Sequence, residues 1–107
     1  MFDVLIIGGG VSGVSAALIF GSAKEKSFMS DKKIGLIAHQ KSSSLQKAIF
    51  NNAYGIAPSK LGSELLDESL THLSEIYPHI VQIEEEKVLR ISGEFGNFTI
   101  TTNKNSY

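Results

Sequence analysis

The chain has 107 residues, which is one domain at most and small for an enzyme. At 42% hydrophobic and 20% charged it is an ordinary globular chain, and the composition excludes intrinsic disorder over most of its length. A net charge of -1 gives no basic field for nucleic acid or an anionic membrane surface, and zero cysteines remove disulfides, thiolate catalysis, Fe–S clusters and Cys-ligated zinc.

Phe2 to Ile7 is short, apolar and rich in β-branched residues, the pattern of a strand buried on both faces. Gly8, Gly9, Gly10 and Gly13 follow. Val11 to Phe20 then places Val11, Val14, Ala17 and Leu18 at helical spacing. Gly21 to Lys33 is polar and reads as a loop, and Ile34 to Ala38 reads as a second strand. The result is a βαβ unit, whose parallel strands are expected to cross over right-handed. Residues 41–58 resist placement: Ser42-Ser43-Ser44, Asn51-Asn52 and Gly55 are loop and turn formers, and Pro58 closes the segment.

Lys60 to about Tyr77 reads as a second helix, with Leu61, Leu65, Leu66, Leu70, Leu73 and Tyr77 on one broad face. Ser59 is its candidate N-cap, the acids Glu64, Asp67 and Glu68 suit its N-terminal half, and Pro78 ends it. His79 to Ile83 reads as a strand. Lys87 to Ser92 and Phe98 to Thr102 read as a hairpin around a turn from Gly93 to Asn97. Asn103 to Tyr107 reads as a turn and the start of another strand, so residues 1–107 are expected to be an incomplete domain. No apolar stretch approaches the roughly 18 residues of a membrane span. Asp3 stands where a secretion signal would carry Lys or Arg, so the expected compartment is the cytoplasm.

Gly8-Gly9-Gly10-Val11-Ser12-Gly13 matches G-x-G-x-x-G, and it lies between a buried strand and an amphipathic helix. In that setting Gly8 permits the tight turn, Gly10 lets backbone approach a pyrophosphate, and Gly13 lets helix and strand pack closely. Ala17 is small for the same packing reason. The amides of the first helical turn, from Val11 and Ser12 onward, and the positive end of the helix dipole then bind phosphate. The competing reading is a glycine turn that binds nothing. Three glycines at this spacing carry a backbone-entropy cost that a plain turn does not require, which counts against it.

The acid that commonly ends the second strand and holds the ribose is absent, since the strand ends Ile37-Ala38-His39-Gln40. Ala38 or His39 occupies the place, depending on register. His39 or Gln40 is a candidate ribose partner, with a surface loop as the equal alternative, and Lys41 is a candidate for a 2′-phosphate. His72 and His79 lack a second ligand at metal spacing, so no metal site is expected. Glu84-Glu85-Glu86 reads as a solvated turn. Ser12 and Ser15 have no His and Asp at nucleophile spacing, so no hydrolase is expected and no catalytic residue is assigned.

The opening Asp3 to Gly13, with Ala16-Ala17, resembles the FAD-binding start of the thioredoxin reductase-like flavoproteins. Asn51-Asn52-Ala53-Tyr54-Gly55 resembles that family's E-N-x-P-G segment, with Tyr54 in place of the proline. Ser59 to Leu73 resembles its helix, and His79 to Tyr107 its strands before an A-T-G motif. The resemblance implies a three-layer α/β, Rossmann-like FAD/NAD(P)-binding domain, present as its N-terminal portion with a β-hairpin at the C-terminal end. It implies FAD as cofactor, Asn52 near the flavin, and NAD(P)H as the hydride source of a complete oxidoreductase. The A-T-G segment, a nicotinamide domain and a redox C-x-x-C are not in the chain, so ferredoxin–NADP reductases of this fold are alternative parents. The electron acceptor is unidentified and a homodimer is left open. The alternatives are a non-catalytic nucleotide-binding or interaction module and an NAD-dependent dehydrogenase.

Overall fold

The computed structural model describes residues 1–38 and 43–107. Three parallel strands form the central sheet: β1 (Val4–Ile7), β2 (Ile34–Ala38) and β5 (Ile80–Glu84), in the order β1-β2-β5. Val4 pairs with Ile34 and Ile34 with Ile80, so alternate residues of all three strands share a face. Helix α1 (Val11–Ser22) connects β1 to β2, and α3 (Gly62–Ile76) precedes β5.

One face of the sheet packs on these helices. Ile34, Leu36 and Ile80 join Ala17 of α1 and Leu73 of α3 in a buried cluster, flanked by Val4, Ile6 and Ala38. The other face packs on the hairpin β6 (Val88–Glu94) and β7 (Asn97–Thr102), where Ile37, Ile83 and Ile100 are buried together beside Phe2, Leu5 and Val88. Helices, sheet and hairpin are therefore three layers, as the sequence led us to expect. A third cluster, Val14, Leu45 and Leu66, joins α1 and α3 to the short helix α2 (Ser44–Lys47).

Several expectations need correction. Strand β1 is not buried on both faces: it stands at the edge of the sheet, its residues are half-buried, and Ile7 is exposed. The unplaced segment contains α2 and β3 (Ile49–Phe50), which pairs antiparallel with β4 (Lys60–Leu61) at the expected start of the second helix. That pairing delays the start of α3 to Gly62, with Leu61 at the N-cap. Ser59 does not cap. It lies in the left-handed region at φ 65, and its N–H and hydroxyl donate to Asn51 Oδ1 at 2.8 and 3.2 Å, closing the loop between β3 and β4. The hairpin turn is tighter than expected, with Phe95 and Gly96 alone between Glu94 and Asn97, because Gly93 remains in the ladder opposite Phe98. The expected strand start is present: Ile100 and Tyr107 exchange two backbone hydrogen bonds at 2.8 Å, and Thr101 bridges Ser106.

The acidic run is not uniformly solvated either. Glu84 and Glu85 are exposed, but Glu86 is 6% exposed. Its carboxylate accepts from Thr102 Oγ1 at 2.7 Å, Tyr107 OH at 2.7 Å and Asn105 Nδ2 at 3.1 Å. A buried carboxylate requires such partners. The Thr102 and Tyr107 hydroxyls are the main reason its carboxyl titrates below its ordinary 4.5, against the opposing effect of burial. The lowered folded value means that Glu86 contributes stability above pH 4.5, and that this contribution is lost as pH falls through the folded value. Glu86→Gln is therefore expected to flatten the acid limb of the unfolding midpoint against pH while leaving the neutral shape of the curve unchanged. An acid titration followed by circular dichroism checks this.

Candidate functional site

At the carboxyl end of β1 the chain turns through the glycines into α1. Gly8 takes φ 112, a conformation that L side chains rarely adopt, and its N–H donates to the Ile37 carbonyl at 2.9 Å. The turn is thereby tied to the end of β2. Gly13 sits where the helix crosses back over the turn, and a Cβ there would stand 1.7 Å from the Gly8 carbonyl oxygen. These two glycines are required by the fold itself.

Gly10 is different. It is the N-cap of α1, with φ -82 and ψ -163, which any residue adopts. Among the described residues, a Cβ built on it would have only Ser43 Cβ within 4 Å, at 3.9 Å. Asp, Asn or Ser at this position would add a side-chain cap and stabilise the helix by a few tenths of a kcal/mol over glycine. Among the described residues neither the backbone nor the packing demands a glycine here, which points to the space beside it.

That space is a cavity of about 310 Å³ lined by Ile7, Gly8, Gly10, Val11, Ser12, Gly13 and, on the opposite wall, Ser43, Ser44 and Leu45. Val14 donates to the Gly10 carbonyl at 3.0 Å as the first bond of the helical ladder, so the amides of Val11, Ser12 and Gly13 have no carbonyl inside the helix to meet. No side chain caps them and no acid stands in the first turn. The other helices are treated differently. In α2 the Ser43 hydroxyl accepts from the Gln46 amide and the Gln46 side chain accepts from the Ser43 amide, and α3 carries Glu64 in its first turn. Among the described helices α1 alone has neither a side-chain cap nor an acid in its first turn, and its amides lie at the cavity. That arrangement suits an anion.

Five residues singled out from the sequence, Gly8, Gly10, Val11, Ser12 and Gly13, thus come together on one cavity. Ala38 ends β2 and touches the turn at Gly9, where an added Cβ would stand 2.6 Å from Ala38 Cβ. His39, Gln40 and Lys41 lie outside the described residues. Asn52 is exposed in the loop after β3 and is not among the residues lining the cavity. Ser43, Ser44 and Leu45 were not anticipated as a wall. The signal was available, because Ser43 and Gln46 stand at the spacing of a capping box. His79, expected to be bland, packs edge-on to Tyr77 at 6.3 Å; among the described residues its Nε2 is buried without a hydrogen-bond partner, and burial holds its pKa below the ordinary value. No described helix is long and apolar enough to cross a membrane.

No protein-family model and no curated protein matches the sequence. Solved structures do. An oxidoreductase from Agrobacterium tumefaciens superimposes with a TM-score of 0.76 at 29% identity, over 97% of this chain and 32% of that one. The T. acidophilum thioredoxin reductase gives 0.75 at 27% identity, over 99% and 32% respectively. A ferredoxin-flavin thioredoxin reductase from Clostridium acetobutylicum gives 0.69 at 25% identity, over 99% and 34%. The chain spans about a third of the length of each of these proteins. Its fold is the Rossmann-like one of these enzymes, and it matches the N-terminal FAD-domain portion of the thioredoxin reductase-like oxidoreductases.

Proposed function

We propose that residues 1–107 are the FAD-pyrophosphate-binding part of an FAD-dependent, NAD(P)H-linked oxidoreductase of the thioredoxin reductase-like kind. The observation that carries this reading is the uncapped N-terminus of α1 beside Gly10, facing a cavity at the carboxyl end of β1. Ligands of open parallel sheets bind at this end, and a pyrophosphate needs both the donors and the bare backbone approach. The amides of Val11, Ser12 and Gly13 would donate to the phosphate oxygens, and Gly10 would leave room for them. Asn52 is assigned to the flavin end on the resemblance of its segment alone.

The bound flavin would supply hydride and electron transfer; this chain's part is to hold and orient it. With no cysteine in the chain, a dithiol acceptor would have to come from elsewhere. The nicotinamide, the acceptor and the subunit arrangement belong to the whole protein.

The test is to purify the whole protein, record its visible spectrum and identify any flavin released on denaturation. FAD bound near one per chain, and bleached by NADH or NADPH under anaerobic conditions, is the expected result. A protein that carries no flavin and takes up none on titration overturns the reading, and uptake of NAD in its place would favour a dehydrogenase.

A further inference from the structure

The three parallel strands end side by side at Ile7, Ala38 and Glu84. Of these only Glu84 carries a charge. An acid at the end of the second strand commonly holds the ribose of a bound dinucleotide. Here Ala38 offers a methyl group, set directly against Gly9 of the phosphate turn. The register pairs Ala38 with Glu84 on the next strand.

The two residues also share a face. Ala38 borders the helix-side cluster that contains Ile80. Gln82 turns the same way, with its Nε2 donating to the Ser74 hydroxyl at 2.9 Å and the Leu70 carbonyl at 3.4 Å on α3. Alternation along β5 therefore puts Glu84 on the helix side too, one place nearer the ligand end. Adjacent strands lie about 4.8 Å apart, a span that an extended glutamate side chain covers. Its carboxylate can thus return across the Ala38 methyl towards the place an acid on β2 would occupy. The strand end is also anchored: Glu85 is held at φ 58, and Glu86 is fixed by its three donors.

We infer that Glu84 supplies from β5 the carboxylate missing from β2, and that it accepts the adenosine ribose hydroxyls of the bound cofactor. The inference rests on the flavin reading above and deepens it by naming a specificity-determining residue of the same site. Nothing in the fold requires the charge, since Glu84 is exposed.

FAD and its 2′-deoxyadenosine analogue are titrated by fluorescence quenching into the wild-type protein, Glu84→Ala and Glu84→Asp. A hydroxyl bonded to a carboxylate corresponds to about 10- to 100-fold in affinity. The wild type should prefer FAD to the analogue by about that factor. Glu84→Ala should weaken FAD by as much and bind both compounds equally, with its unfolding midpoint unchanged, and Glu84→Asp, one methylene short, should fall between them. Unaltered FAD affinity in Glu84→Ala, or full discrimination retained by it, overturns the inference and leaves the flavin reading standing. A wild type that takes up neither compound removes the flavin reading itself, and the inference with it.

Discussion

Gly13→Ala is expected to lose about 3 kcal/mol of stability or more, and to lose the cavity with it. An added Cβ would stand 1.7 Å from the Gly8 carbonyl oxygen and 2.8 Å from its carbon. Neither atom belongs to a flexible side chain, so the start of α1 must lift off the turn. Gly8 cannot yield easily, because its own N–H is held by the Ile37 carbonyl and its φ is 112. Lifting the helix also uncovers Val14, which is 4% exposed and belongs to the cluster that joins α1 to α2 and α3. Denaturant unfolding of the variant checks the expectation. A midpoint within error of the wild type would mean that the close approach of helix and turn is not what requires a glycine at this position.

Gly62→Ala is expected to cost about 2 to 3 kcal/mol for a related reason. Its Cβ would stand 1.6 Å from the Leu45 carbonyl oxygen and 3.3 Å from that of Ala48, while its N–H already donates to the Ala48 carbonyl at 2.8 Å. Helix α3 therefore begins in direct contact with the end of α2. Relief of the clash must displace α2, and with it Leu45, which is both a core residue beside Val14 and Leu66 and part of the cavity wall. FAD affinity should fall together with stability, although Gly62 itself is not in the wall. Parallel unfolding and flavin titration check this, and a stability loss with undiminished flavin affinity would show that α2 is not part of the binding surface.

The contrast between these positions explains which parts of the site are legible in the sequence. The segment from β1 through α1 to β2 is local: a buried apolar run, glycines at fixed offsets and a 3.6-residue period are each imposed by backbone geometry within a few residues. Strand, turn and helix accordingly lie where their pattern places them. Residues 43 to 61 follow other rules. The β3–β4 pair has two residues a strand, and α2 a single turn, so neither has a periodicity to read; both are held by contacts that tie Ala48 to Gly62 and Asn51 to Ser59. Ser59 has the chemistry of an N-cap and is instead engaged by Asn51, because the chain must first pair Lys60–Leu61 with Ile49–Phe50.

Glu86 is illegible for a third reason. Three acids in a row look solvated, and what buries the last of them comes from Thr102, Asn105 and Tyr107, 16 to 21 positions further along the chain. Only the folded hairpin brings them together. The ribose acid shows the same limit. Read along the chain, the missing acid is sought after Ile37, whereas Glu84 becomes its neighbour only through the register of β2 with β5.

Gly10→Asp separates a glycine kept for a phosphate from one kept for the fold. Among the described residues, aspartate at the N-cap of α1 meets no backbone and has only Ser43 Cβ within 4 Å of its own Cβ, and its carboxylate can accept from the bare amides of the first turn. It should stabilise the protein slightly, by a few tenths of a kcal/mol over glycine. The same carboxylate takes up the donors, fills the space and adds a negative charge where the pyrophosphate should lie. The decisive measurement is an FAD titration of Gly10→Asp beside the wild type, with the unfolding midpoint of each recorded in the same buffer. The expected result is FAD affinity weakened by at least about 100-fold, with a midpoint equal to or above that of the wild type. FAD bound as tightly by Gly10→Asp as by the wild type would contradict it.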